Sequence, residues 1–185
     1  GSLIAMDCMF IAVGIEKWSM NPILLMILVL VIGVVFGLVQ GFCVGYLKLQ
    51  PFIVTMAGMF FGRGMTAVIC TEQVSVSSSE LFVKIAQAKI ELPFGAYTNN
   101  RGVLQVPYVR IPVVIALIVL ILVFLMLKYT KFGRSLYAVG GSEQSAVMMG
   151  LDVAKTKLKA YVLSSVLCSI GGICYCLNTM SGSVQ

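Results

Sequence analysis

The chain contains no histidine and few charged residues, and both shortages exclude large classes of function. Without histidine, these 185 residues hold no Ser-His-Asp triad, no HExxH zinc site and no serine–histidine intramembrane protease site. Charged residues make up 11% of the chain, whereas soluble domains carry about 25%. Because 59% of the residues are hydrophobic and the mean hydropathy is +1.02, the composition predicts a membrane protein.

Other chemical motifs are also absent, and their absence narrows the function further. No GxxxxGK[ST] sequence occurs, so this stretch does not bind ATP through a P-loop. The six cysteines lie in or beside apolar runs and form no CxxC motif, so we expect buried small side chains and no metal or cofactor. The chain is therefore not predicted to be an enzyme, which leaves transport, channel formation and receptor anchoring. The net charge of +6 is typical of basic cytoplasmic loops and does not indicate nucleic-acid binding.

The apolar residues fall into five segments, at about 1–15, 22–46, 51–69, 108–127 and 160–179. Their lengths predict an all-α, polytopic transmembrane helical bundle of about five spans, in a single domain over 1–185. The first segment begins without a start methionine or a basic stretch, so we interpret the chain as a piece of a longer protein. Within 72–107, SSSELFVKIAQAKI predicts a short amphipathic helix, with Ser77 to Ser79 as N-caps and one side formed by Leu81, Phe82, Ile85 and Ala88.

Basic residues near the ends of the spans predict the orientation of the chain. The connection 128–159 carries six basic residues, whereas the slightly longer connection 72–107 carries three. Since cytoplasmic loops hold the excess of lysine and arginine, 128–159 is predicted to lie in the cytoplasm. Alternation of the spans then places the LKLQP turn on the same side, and 16–21 and 72–107 outside. Lys17 is the exception to this charge pattern.

A stripe of glycines marks the second segment. Four glycines are spaced by four residues and therefore share one face of a helix: Gly33, Gly37, Gly41 and Gly45. Small residues on one face let a neighbouring helix approach closely, so we expect tight helix packing here. Gly58 and Gly62 repeat the spacing in the third segment. An alternative interpretation is that the stripe lines a pore.

Two ionisable residues lie within the predicted spans. At 1.5 Å per residue, Asp7 and Arg63 each come out roughly 10–12 Å below the outer surface. Charges at this depth are costly and usually face a partner or a wet cavity, so one hypothesis pairs the two residues in an outward-opening cavity. The alternative places Asp7 nearer the interface and lets Arg63 extend outward to water. Further polar candidates for a translocation path are Thr55, Ser164, Ser165, Asn178 and Thr179. The commoner role of such side chains in membrane helices is to bond a neighbouring backbone carbonyl.

The segment KFGRSLYAVGGSEQSAVMMG, residues 131–150, interrupts the apolar sequence with glycines and small residues. Gly133, Gly140 and Gly141 are expected to permit sharp turns. Ser142 is expected to cap a short helix that Gly150 ends. That helix is too short to span the membrane and too weakly basic to lie on its surface. Its apolar face therefore predicts docking to a partner in the cytoplasm.

The same segment follows a recognisable pattern, T-x-F-G-R-x-x-Y-A-x-G-G-N-x-x-A-A-x-x-x-G-I-x-V. It departs from that pattern at Ser142, where asparagine is usual, at Ser145, where alanine is usual, and conservatively at Leu151. LKLQPFIVTMAGMFFGRG and GSLIAM look like further motifs of the same kind. Over nearly its whole length the chain resembles the permease subunits of bacterial ATP-binding cassette (ABC) importers for monosaccharides, of the ribose, xylose and galactofuranose type.

The resemblance implies a function, partners and site residues. Residues 128–159 would form a cytoplasmic coupling loop, whose ATPase-coupling positions are Gly133, Arg134, Tyr137, Ala138, Gly140, Gly141, Glu143, Ala146 and Gly150, with Ala146 and Gly150 keeping the docking face flat. A separate ATPase subunit would drive import of a monosaccharide across the bacterial cytoplasmic (inner) membrane. A periplasmic or lipid-anchored sugar-binding protein would dock outside, and a second permease subunit would complete the transporter. The rival functions are a sugar or small-solute channel or facilitator without ATPase coupling, and a membrane anchor for signalling.

Overall fold

The computed structural model describes residues 1–76, 79–91, 93–98, 102, 104–105 and 107–182. Its helices are α1 (Ser2–Glu16), α2 (Pro22–Gly45), α3 (Pro51–Ile69), α4 (Glu80–Gln87), α5 (Ile111–Tyr129), α6 (Lys131–Gly141), α7 (Glu143–Met148) and α8 (Val153–Thr179). Its short strands are β1 (Val74–Ser75), β2 (Lys89–Glu91), β3 (Tyr97–Thr98), β4 (Leu104–Gln105), β5 (Tyr108–Arg110) and β6 (Ser181–Gly182). The prediction of an all-α membrane bundle is confirmed.

Four of the helices, α2, α3, α5 and α8, are long and apolar enough to cross a membrane. The helix α1, the first predicted segment, has 15 residues and packs against α2, α3 and α8. Three of the four spans begin at or next to a proline, at Pro22, Pro51 and Pro112. Proline lacks a backbone N–H, and the first N–H groups of a helix have no partner within the helix, so no hydrogen bond is lost there. At Pro22 and Pro51 the helices therefore begin where the apolar segments begin.

The helix α8 is longer than the apolar segment from which it was predicted. It begins at Val153 instead of residue 160, because Asp152 caps it by accepting a hydrogen bond from the Lys155 backbone N–H (3.2 Å). The first two turns carry lysines and are helical without being apolar. A segment defined by hydrophobicity therefore starts two turns too late.

The core of the bundle is the middle of α1. Ile11 and Ala12 are fully buried, and Leu25 and Val29 of α2 pack with them in one cluster. By contrast, α5 buries only Pro112 within this chain, and its Leu120, Leu122 and Phe124 are largely exposed. An apolar helix with so little internal burial is typical of a surface that faces lipid or another membrane helix.

The two ends of the bundle collect different segments. One end holds the turn after α1, the residues after α3 and the end of α8, where Val74 of β1 pairs with Gly182 of β6. There the Lys17 ammonium lies 3.5 Å from the Cys70 sulfur. The other end holds the turn between α2 and α3 together with α6 and α7. This separation agrees with the alternation of spans expected from the charges.

The predicted amphipathic helix of the 72–107 connection is α4, although its buried face differs from the expected one. Phe82 is fully buried and Ala86 nearly so, whereas Leu81 is half exposed and Ala88 already follows the last helical residue. Ser79 caps the helix by accepting from the Phe82 backbone N–H (3.4 Å). The other two proposed caps, Ser77 and Ser78, lie outside the described residues.

Candidate functional site

A sharp corner between α5 and α6 opens the candidate site. The Thr130 hydroxyl accepts a hydrogen bond from the Gly133 N–H (3.2 Å) and so caps α6. A Cβ at Gly133 would strike the carbonyl group of Leu127, so only glycine allows α6 to fold back this closely. The corner therefore lies at Thr130, and the missing side chain of Gly133 leaves room for the Leu127 carbonyl group.

Gly133 permits the sharp corner from inside α6, whereas the turns expected at Gly140 and Gly141 do not form. All three lie inside α6, and the chain continues as helix from Lys131 to Gly141. A glycine permits a turn without requiring one, and here the capped start and the half-buried apolar side chains of α6 favour helix. A Cβ at Gly140 or Gly141 would meet nothing within 4 Å, so both glycines leave the end of α6 uncovered.

The short helix α7 follows directly, with well-defined ends. Ser142 caps it by accepting from the Ser145 N–H (3.3 Å), as the sequence predicted. After the last turn Gly150 adopts φ +79°, a left-handed conformation that ends a helix readily only in glycine. The Gly150 N–H donates to the Val147 carbonyl (3.0 Å), and the Leu151 N–H donates to the Ala146 carbonyl (3.1 Å). The chain thus reverses within a few residues and enters α8.

The exposed face of α7 is not the small-residue face that the sequence suggested. Ala146 is completely buried and turned toward the bundle, so it does not form part of an outer docking face as expected. In this helix of six residues, Ala146 is the residue that faces the bundle, and its methyl group fills the contact. Met148 is 89% exposed, and three more large apolar side chains are exposed beside it: Tyr137, Val147 and Met149. We call these four residues the apolar cap; Arg134 is exposed nearby on α6.

One side chain of α7 is tied to the bundle by an ion pair. The Glu143 carboxylate lies 3.0 Å from the Lys157 ammonium on α8. Sequence reasoning did not single out Lys157, because the two residues are 14 positions apart. Only the reversal at Gly150 brings α7 back alongside the start of α8.

The glycine stripe of α2 faces α8 along its whole length. A Cβ at Gly37 would lie 2.7 Å from the Val162 Cα, and one at Gly41 would lie 2.9 Å from the Leu158 Cα. Contacts this short with backbone atoms leave no room for a side chain. At the ends of the stripe, Gly45 contacts Ala154 and Gly33 contacts Ser169. The stripe is therefore covered by α8 in the described part of the chain.

Asp7 and Arg63 do not form the hypothesised pair. Asp7 is fully buried between α1 and α8, its Cβ 3.0 Å from the position that a Cβ on Gly172 would take, and its oxygens have no hydrogen-bond partner among the described residues. Arg63 is exposed on another face of α3, because Gly62 and Thr66 are the positions that α3 buries. Packing of those two residues fixes the rotation of α3 and turns the arginine away from Asp7.

A cavity of about 1020 Å³ lies between α1, α2 and α3. Asp7 and Gln40 are the polar side chains that line it, and the remaining lining is aliphatic and aromatic, including Trp18, Phe36 and Phe61. Thr55, Arg63 and Asn178 are not among the residues that line this cavity. The structure therefore does not gather the polar candidates of the sequence around one space.

The other polar candidates bond mainly to nearby groups. The Thr55 hydroxyl donates to the Pro51 carbonyl (2.9 Å), and the Thr179 hydroxyl donates to the Tyr175 carbonyl (2.9 Å). The Asn178 carbonyl oxygen accepts from the Arg110 guanidinium (3.1 Å), which joins the end of α8 to the start of α5. Ser165 is buried against Gly37, and Ser164 is exposed.

Comparison with known proteins identifies the class of this chain. Residues 2–185 match the family described as branched-chain amino acid transport system / permease component, so the chain belongs to that family of permeases. Similar curated proteins include the inner membrane ABC transporter permease protein YjfF of Escherichia coli (32% identical, 98% of this chain and 51% of that protein). Others are the fructose import permease protein FruG of Bifidobacterium longum (30%, 96% and 50%) and the ribose import permease protein RbsC of Bacillus subtilis (34%, 93% and 49%).

The matches cover only part of each of these relatives. The chain spans about half the length of the curated relatives it matches. No solved structure matches it significantly. With four candidate spans and a family of permeases, the chain is a multi-pass protein of the inner membrane.

Proposed function

We propose that this chain is part of the transmembrane permease subunit of an ABC importer that moves a monosaccharide across the cytoplasmic membrane. The permease itself is non-catalytic, and a separate ATPase subunit hydrolyses ATP. The observation that carries the proposal is the family match over residues 2–185, because relatives with this sequence pattern are named as ABC or sugar-import permeases.

The geometry of α6 and α7 supports an ATPase partner. The apolar cap of Tyr137, Val147, Met148 and Met149 lies at the predicted cytoplasmic end, away from the lipid-facing spans. Four large apolar side chains exposed on a capped, glycine-ended element form the kind of patch that marks a protein–protein contact. In the proposed assembly, residues 128–159 are the coupling loop that seats on the ATPase, with Gly133, Tyr137 and Gly150 shaping it.

The other partners follow from the same proposal. A sugar-binding protein docks at the opposite end, on the extracytoplasmic connection 72–107. A second permease subunit, identical or different, covers apolar membrane surfaces such as that of α5, which this chain leaves open. Of the sequence candidates for the translocation path, Asp7 lines the cavity between α1, α2 and α3, whereas Thr55, Arg63 and Asn178 do not line it.

The proposal is tested by capture of the ATPase on the full-length permease. Met148→Asp places a charge in the centre of the apolar cap and is expected to weaken ATPase binding by at least tenfold, because a carboxylate must be desolvated at the contact. Phe94→Asp is the matched control: Phe94 is equally exposed, at 83%, but lies in the connection at the other end of the bundle.

The outcomes separate the two candidate functions. An importer subunit binds the ATPase, loses it with Met148→Asp and keeps it with Phe94→Asp. A channel or facilitator binds no ATPase, and solute entry then continues without ATP. Equal binding by both variants would show that the apolar cap is not the docking surface.

A further inference from the structure

An ion pair at the cytoplasmic end connects α7 to the long helix α8. Glu143 Oε2 lies 3.0 Å from Lys157 Nζ, and the Lys157 side chain is only 28% exposed. The other ion pair among the described residues, Lys155 with Asp152, is longer at 3.6 Å and more exposed on the lysine side. That second pair joins residues of one helix start, whereas the first joins two separate elements.

The position of α7 depends on such a connection. A helix of six residues is far too short to be stable alone, so its neighbours hold it in place. Its cap at Ser142 and its end at Gly150 define its shape but join it only to adjacent chain. Ala146 is its buried contact, and Glu143 is its charged link to α8.

Lys157 lies in a part of α8 that packs directly against α2. Leu158 beside it and Ala154 one turn earlier both contact the glycine stripe, at Gly41 and Gly45. A Cβ at Gly45 would lie 2.8 Å from the Ala154 carbonyl oxygen, so backbone is in contact with backbone. Because interiors packed this closely transmit displacement, a movement of Lys157 moves α8 and α2 together.

We propose that the Glu143–Lys157 pair is a strut that transmits movement of α7 into the α2–α8 unit. Lys157 is a positioning residue in this scheme, because it acts through Glu143 and α8. In this scheme the Glu143 carboxylate, whose side chain is 58% exposed, acts through Lys157. The inference rests on the proposed function, since the movement it transmits is the one that an ATPase would impose on α7.

The strut is tested by charge reversal in the full-length permease, reconstituted with its ATPase and sugar-binding protein. Lys157→Glu and Glu143→Lys are each expected to raise the ATP hydrolysed per sugar transported about two- to fivefold, the size that a partly exposed ion pair supports. The double variant, with both charges exchanged, restores the pair and is expected to return the ratio to within about twofold of the original. Lys157→Arg keeps the charge and is expected to keep the coupling.

Lys155→Glu is the matched control, because Lys155 lies on the same helix two residues away and does not reach α7. It is expected to leave the ratio of ATP to sugar unchanged. If Lys157→Glu fails to reach the membrane, Lys157→Met provides an uncharged variant for the same measurement. Recovery of membrane levels in the double variant Glu143→Lys/Lys157→Glu also supports the ion pair.

The opposing results are equally specific. If Glu143→Lys uncouples transport while Lys157→Glu does not, and the exchange fails to rescue, then Glu143 acts directly on the ATPase and the strut is wrong. If the unsubstituted permease neither binds nor stimulates the ATPase, the proposed function itself fails, and the strut fails with it.

Discussion

Replacing Gly37 by alanine is the sharpest test of how α2 and α8 are held together. The added Cβ would lie 2.7 Å from the Val162 Cα and 2.9 Å from the Tyr161 carbonyl oxygen. Carbon atoms rest comfortably at about 3.5–4.0 Å, so the two helices must separate by about 1 Å. Both contacts are with backbone atoms, which cannot rotate away as a side chain can. Overpacking of this kind costs about 1–3 kcal/mol.

The matched control is Gly171→Ala, on α8 itself. Its Cβ would meet the end of the Ile4 side chain at 3.9 Å, an ordinary van der Waals contact. Both substitutions gain the helix propensity of alanine, up to about 1 kcal/mol, so their difference isolates the clash. Thermal unfolding of the full-length permease in detergent is expected to show Gly37→Ala less stable than Gly171→Ala by about 1–3 kcal/mol. Equal or greater stability of Gly37→Ala would refute the close approach.

Three further predictions concern single positions. Gly133→Ala is expected to open the α5–α6 corner at Leu127 and to lower ATPase stimulation severalfold, as measured by phosphate release. Gly150→Val puts a β-branched residue at φ +79°, so unfolding in detergent is expected to show a loss of about 1–2 kcal/mol. Asp7→Asn is expected to change that unfolding free energy by less than about 1 kcal/mol, because the carboxyl has no ion partner among the described residues. A loss above about 3 kcal/mol would reveal a buried pair.

The span boundaries were predictable because the apolar segments end at residues with a local structural reason. Pro22 and Pro51 begin α2 and α3, and the sequence indicated both starts. The exposed charged turns of α8 were missed because hydropathy measures transfer into lipid, whereas helix formation there depends on the Asp152 cap. The short strands were also missed, since pairings of two or three residues leave no periodic signal.

The ends of α7 could be predicted from the sequence, but the face that α7 turns toward the bundle could not. Ser142 and Gly150 mark the ends of a short helix by local chemistry, which a sequence displays directly. Which face of that helix is buried depends on the reversal of the chain into α8, and this placed Ala146 inside and Met148 outside. Likewise, the rotation of α3 follows from Gly62 packing on α1. The depth of Asp7 and Arg63 in the membrane therefore could not tell whether the two side chains face each other.

The central claim, that this permease works in an ATP-driven importer, is tested most directly by sugar uptake into proteoliposomes. The full-length permease is reconstituted with its ATPase and its sugar-binding protein, and uptake is followed with and without hydrolysable ATP. The account predicts accumulation of sugar against its gradient only when ATP is hydrolysed. Equilibration of sugar at the same rate without ATP, or without the ATPase, would contradict it and identify a facilitator.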